Sequence, residues 1–432
     1  MSRKFILSSG QLFISSKSVY SLCSNNSMAS LFSTQISPSL ANGATKEQSH
    51  DNQQESPDII TLSELPKERG WLTEHVHQYK GFWYPTGILQ GLIALQQQHF
   101  KPKPNSVILA SYPKSGTTWL KALFFAITNR SHLDFNTHPL LTSNSHEVVP
   151  QLEAYAFKHP TDPTPNTCLM HSHLAFNSLP ESNCKIVYIF RDPKDVLASC
   201  WYFVQKLRPK ELPFISLHEE FDQFTKGCSP FGPFWDHVMG YYKASLEFPK
   251  RVLLLKYEDL KKDPIFNAKR LAEFLGQPFS LEEEREGIVE RITELCSFEK
   301  LSNLEVNKDG TFTGNFIPTI ANNTFFRKGK VGDSKNHLSK EIIEVLDDIT
   351  KQKLGFDLMT TSVTPQQNGN GLSQTRITST SMYFLHEEIV LQMKIFPLVV
   401  SPLCFIVSVT FCWSCCKLWF LIPINVAFCC HF

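Results

Sequence analysis

Residues 106–127 read SVILASYPKSGTTWLKALFFAI, and their order decides the fold. Ser106 to Tyr112 is a short apolar run, the pattern of a strand buried on both faces. Trp119 to Ile127 reads as a helix directly after a tight loop. The same alternation continues, with further buried strands expected at Cys184–Phe190 and Val252–Tyr257. Pro193 suits a first helical position, with Asp192 before it as cap. Helices are expected near 264–276, 281–294 and 339–352. Strand–helix alternation of this kind predicts an α/β single domain, a parallel sheet flanked by helices. Ligands of such sheets sit beyond the carboxyl ends of the strands. That puts the loops after Tyr112, Phe190 and Tyr257 on one rim.

The loop Tyr112-Pro-Lys-Ser-Gly-Thr-Thr-Trp119 has the composition of an anion cradle. Gly116 lets the backbone turn closely around a ligand. Successive N–H groups and a helix N-terminus then face the anion. Ser115, Thr117 and Thr118 add hydroxyls, Lys114 a mobile charge, and Trp119 a flat face for a base. The Walker A order GxxxxGK[ST] is absent, because here the Lys precedes the Gly. The bland alternative makes Thr117 a simple N-cap. Two more segments complete a pattern. In Phe190-Arg-Asp-Pro-Lys-Asp-Val-Leu-Ala-Ser199, an Arg191 fork and the Ser199 hydroxyl suit a second phosphate, although Arg191 beside a carboxylate is the plainer reading. In Phe326-Arg-Lys-Gly-Lys-Val-Gly-Asp333, three cations gather around two glycines.

Composition narrows the class. The 432 residues carry 42 Lys and Arg against 41 Asp and Glu, a net charge of +1. That balance argues against a dedicated nucleic-acid or polybasic membrane binder. With 42% hydrophobic residues and 19% charged, a core is available and wholesale disorder is excluded. Cys23, Cys168, Cys184, Cys200, Cys228 and Cys296 form no CxxC pair, which suits a reduced compartment and gives no zinc spacing.

The chain resembles the cytosolic, 3′-phosphoadenylyl sulfate (PAPS) dependent sulfotransferases, and the plant soluble branch most closely. The stretches that carry the resemblance are YPKSGTTWLKAL at 112–123, SHLAFNSLP at 172–180, CKIVYIFRDPKDVLAS at 184–199, GPFWDHVMGYYKASLE at 232–247, YEDLKKDP at 257–264, CSFEKLSNLEVNK at 296–308 and FFRKGKVGD at 325–333. The resemblance implies a P-loop-like 5′-phosphosulfate loop at Lys114, Ser115, Gly116, Thr117, Thr118 and Trp119, with Trp119 stacked on adenine. It implies that Arg191, Ser199, Arg327, Lys328 and Gly329 hold the 3′-phosphate and that Tyr257 lies near the adenine. Its catalytic base falls on His173, with Lys114 stabilising the leaving oxygen and Ser199 restraining Lys114 or the 3′-phosphate. PAPS is then the co-substrate and no metal is required.

His171 is a rival base; in an extended segment both imidazoles face the same way, so His171 is placed to modulate His173. Ala175 stands where the family usually has Pro, and Ser334 where it usually has Trp, a change expected to loosen the 3′-phosphate loop. The expected acceptor is a small hydroxylated molecule such as a flavonoid, hydroxyjasmonate, steroid or other phenol, with a pocket drawn from Tyr79–Tyr84, Glu153–Phe157, Phe203 and Phe231–Trp235. A membrane-tethered or inactive nucleotide-binding relative is the alternative, and the resemblance leaves the oligomeric state open.

The two ends are compositionally foreign. Residues 1–58 read as a leader, transit-like or an upstream extension ahead of Met28; no Asp or Glu occurs before residue 47. Residues 59–355 are the expected sulfotransferase domain and 356–394 a polar linker. The apolar, Cys-rich tail at 395–432 includes an uncharged run, 395–416, long enough to span a bilayer. It reads either as an anchor or as a tail never selected for folding. Cytoplasmic residence is expected, with tail anchoring or a plastid as the alternatives.

Overall fold

The computed structural model describes residues 62–97, 100–314 and 319–360. The leader at 1–58, most of the linker at 356–394 and the tail at 395–432 lie outside the described residues.

The chain opens on three short antiparallel strands, β1 (Lys67–Arg69), β2 (His75–Tyr79) and β3 (Phe82–Pro85), followed by helix α1 (Thr86–Gln97). Next come β4 (Val107–Ser111), α2 (Thr117–Asn129), α3 (Ser145–Val148), α4 (Leu152–Lys158) and β5 (Leu169–Ser172). Strand β6 (Lys185–Phe190) leads into α5 (Pro193–Leu207), α6 (Leu217–Lys226) and α7 (Phe234–Glu247). Strand β7 (Val252–Lys256) is followed by α8 (Tyr257–Lys262), α9 (Pro264–Leu275), α10 (Leu281–Arg285), α11 (Ile288–Leu295), α12 (Phe298–Asn303) and α13 (Glu305–Lys308). A two-residue hairpin, β8 (Thr311–Phe312) and β9 (Ile320–Ala321), precedes α14 (Lys340–Thr360).

The central sheet runs β5-β4-β6-β7, and all three pairings are parallel. Its strands are buried on both faces, so side chains alternate between two cores. Ile108, Ala110, Tyr188, Phe190 and Leu254 join one core, with α1, α5, α7 and α14. Val107, Leu109, Val187, Ile189, Leu253 and Leu255 join the other, with α2, α9 and α11. The register pairs Ser111 with Ile189 and Phe190 with Lys256, so three strands end level with one another. That brings the three following segments onto one rim, as the alternation predicts.

Two expectations need correction. The helix expected at 281–294 is two helices, because Gly287 takes a left-handed conformation (φ 69°) and starts α11 anew. Tyr257 is the first residue of α8, not the last of a strand. The Asp192 cap forms as expected, its side chain accepting the Lys194 N–H.

Candidate active site

The turn between β4 and α2 is made by two residues with positive φ, Lys114 at 69° and Gly116 at 116°. A Cβ on Gly116 would lie 2.7 Å from Tyr257 Cδ2 and 3.1 Å from Ile189 Cδ1, so both conformation and space require glycine here. Gly116 is also the N-cap and offers no side-chain acceptor to α2. The first-turn N–H groups therefore have no side-chain cap, as an anion-binding helix terminus requires. Thr117 is not the cap; its hydroxyl bonds Ser111 Oγ at 2.6 Å. Ser115 Oγ, Trp119 Nε1 and Arg191 Nε are buried without a protein hydrogen-bond partner. Buried polar atoms rarely go unmatched, and these three belong to the cradle and its neighbour.

Lys114 Nζ lies 3.9 Å from the centroid of the Phe203 ring. Burial lowers its pKa from 10.5 to about 8, and the charges of Arg327 and Arg191 push the same way. No hydrogen bond joins it to Ser199, which is buried two turns into α5.

The second cationic group is organised by Asp195. This carboxylate takes Arg191 at 2.9 Å, the Gly332 N–H at 2.8 Å and the Ser334 N–H at 2.9 Å. Burial alone would raise its pKa, but Arg191 and these N–H groups hold it below the usual value. Arg191 also donates to the Lys330 carbonyl at 2.6 Å, and its guanidinium lies 4.3 Å from the Tyr257 ring. Tyr257 in turn meets Trp119 edge-on at 5.7 Å. Arg327 is paired with Asp333 at 2.5 Å, Lys328 is exposed, and Gly329 (φ 61°) sits so close to Phe298 that a Cβ would lie 2.4 Å from the ring. The Ser334 backbone is pinned to Asp195, whatever side chain position 334 carries.

His173 is the first residue beyond β5. Its Nδ1 lies 2.7 Å from the Ser111 carbonyl oxygen. A carbonyl only accepts, so Nδ1 carries the proton and Nε2 is left with a free lone pair. The His173 pKa is lowered to about 3, chiefly by burial, with Lys121 and Lys114 adding to the effect. The His171 ring meets it edge-on at 5.4 Å, so the two imidazoles do share a side, while His171 Nδ1 is within 3.3 Å of the Val149 carbonyl. Ala175 has an N–H that a Pro would lack, and it donates to Tyr84 Oη at 3.3 Å.

Of the expected acceptor wall, Phe231 stands 5.4 Å from the His173 ring. Tyr84 and Trp235 are instead core residues, bonded to Ser178 and Thr350. Residues that the motif reading passed over are Asp195, Lys121 and His146. Lys121 is fully buried on α2 and donates to His146 Nδ1 at 2.9 Å; His146 Nε2 then serves the Thr118 hydroxyl at 3.1 Å. The one sequence signal for Asp195 is its i+4 spacing from Arg191; for Lys121 it is a lone charge on an apolar helix face.

The sulfotransferase domain family matches residues 104–356. Flavonol 4′-sulfotransferase of Flaveria chlorifolia is 48% identical over 285 residues, covering 65% of this chain and 88% of that protein. The chain belongs to the sulfotransferase family. As a member it is a transferase, carrying the sulfuryl group of PAPS to a small acceptor. Cytosolic sulfotransferase 17 of Arabidopsis thaliana is 44% identical over 310 residues, covering 70% of this chain and 89% of that protein. A solved Arabidopsis thaliana structure, a candidate steroid sulphotransferase, superposes with a TM-score of 0.52 at 35% identity, covering 72% of this chain and 94% of that one. Among the described residues, no helix of this sulfotransferase is long and apolar enough to cross a membrane.

Proposed function

We propose that this sulfotransferase acts on a small phenol or alcohol, a flavonol among the first to be tried, with His173 as the general base. The observation that carries the reading is the tautomer: Nδ1–H is tied to the Ser111 carbonyl, so Nε2 can accept a proton. The PAPS half rests on the three buried, unpartnered donors of Ser115, Trp119 and Arg191. The loop residues Lys114, Ser115, Gly116, Thr117 and Thr118 hold the 5′-phosphosulfate, and Trp119 and Tyr257 flank the adenine. Arg191, Ser199, Arg327, Lys328 and Gly329 take the 3′-phosphate. In the reaction the acceptor oxygen forms a bond to sulfur while the bond from sulfur to the phosphate oxygen breaks. His173 Nε2 receives the acceptor proton, and Lys114 offsets charge growing on the leaving oxygen. Positioning and electrostatics supply most of the acceleration.

The cytosolic relatives favour residence in the cytoplasm. Residues 59–355 are proposed as the working domain. Calorimetry with adenosine 3′,5′-bisphosphate (PAP) tests the nucleotide half: binding by the wild-type protein is expected, and its absence from a folded sample overturns it. His173→Asn tests the base: transfer should be lost with PAP affinity kept.

A further inference from the structure

The β4–β5 ladder ends at the pair Ala110 and Ser172, so the sheet does not fix residue 173. Its polar groups are held in other ways. The side chain is tied to Ser111 at 2.7 Å. The carbonyl accepts from His237 Nε2 at 3.1 Å, and the N–H donates to Glu153 Oε1 at 3.0 Å.

Glu153 is fully buried in the first turn of α4. Its Oε1 also accepts from Gln151 Nε2 at 2.8 Å, while Oε2 has no hydrogen-bond partner. A carboxylate in such a place costs several kcal/mol that a leucine would not. A charge placed only to complement the helix terminus would stay in water, where it is favourable without that cost. The helix that carries it is seated closely: a Cβ on Gly91 of α1 would lie 1.9 Å from the Glu153 carbonyl oxygen. The carboxylate therefore enters from a fixed position.

We infer that Glu153 is a positioning residue for His173, its Oε1 setting through the main-chain N–H where the imidazole Nε2 stands. The inference rests on His173 being the base. Two variants separate the reach of the oxygen from the ability of the group to ionise. Glu153→Gln keeps an acceptor at the same reach and cannot ionise; Glu153→Asp keeps the carboxyl and withdraws the oxygen by one methylene. Glu153→Asp should lower kcat by about tenfold or more, since small displacements of a catalytic group are costly. Glu153→Gln should stay within about threefold of the parent, and both should keep the KM for PAPS and the Kd for PAP. The Glu153→Asp loss should shrink along a series of phenols of rising acidity, because a more acidic hydroxyl needs the base less. Parental kcat in Glu153→Asp overturns the inference. So does an equal loss with every phenol, a larger loss in Glu153→Gln than in Glu153→Asp, or loss of PAP binding in Glu153→Asp. His173→Asn, run beside them, separates the two readings. If it turns over normally, the base assignment falls; if it is inactive while Glu153→Asp is parental, only the positioning role falls.

Discussion

Burial moves the proton affinities of single side chains in this protein. Lys114 is lowered to a pKa of about 8. A bound dianion favours the ammonium form, so nucleotide affinity is full while Lys114 is protonated and falls as pH rises through that value. His173, lowered to about 3, stays neutral far below the working range. The expected kcat/KM for PAPS is therefore flat between about pH 5.5 and 7.5 and declines above about 8. Lys114→Met should remove the alkaline decline in PAP affinity as well as weaken binding, which calorimetry at two pH values would register. Glu220 gives a second pH signature. Burial raises its carboxyl from 4.5 to about 8, and neither oxygen has a hydrogen-bond partner. The folded form keeps a proton that the unfolded chain releases, so stability falls as pH rises from about 4.5 to about 8. The slope is at most about 1.4 kcal/mol per pH unit. Glu220→Gln should abolish this slope, raising Tm at pH 8 far more than at pH 5; an equal change at both would remove the explanation.

Among the elements, the β4–α2 turn has a sequence that admits little change at Gly116. Gly116→Ala combines a φ of 116° with a contact 2.7 Å from Tyr257. The expected result is a loss of about 1–3 kcal/mol in stability and of PAP affinity by about tenfold or more, read by thermal melts and calorimetry. This turn was legible because a Gly among hydroxyl residues, set between an apolar strand and an apolar helix, marks a tight turn. The break at Gly287 was less legible. A lone Gly in a helical pattern is often tolerated, and only the left-handed φ of 69° shows that this one ends the run. Tyr257 was read one element too early, since an aromatic residue fits the end of a buried strand as well as the start of a helix.

For the whole molecule, parallel register is what turns separate motifs into one site. Ser111, Phe190 and Lys256 end three adjacent strands, and the cradle, Arg191 and Tyr257 follow directly. A chain limited to residues 59–355 is expected to melt and to transfer sulfate as the full chain does. Fractionation of the two forms then reports what the tail at 395–432 adds, and loss of folding in the shorter form would overturn the domain boundary.

The sequence by itself determined three of the four strands of the central sheet and the glycine turn after the first, because short-range periodicity and local turn chemistry are written in neighbouring residues. Only the tertiary structure decided what holds those residues in place. Asp195 meets Ser334 from 139 positions away, Glu153 meets His173 from 20, and Tyr84 and Trp235 lie in the core rather than the acceptor wall. Such pairings depend on how helices are seated on the sheet, and the burial that shifts Lys114 and His173 exists only once they are.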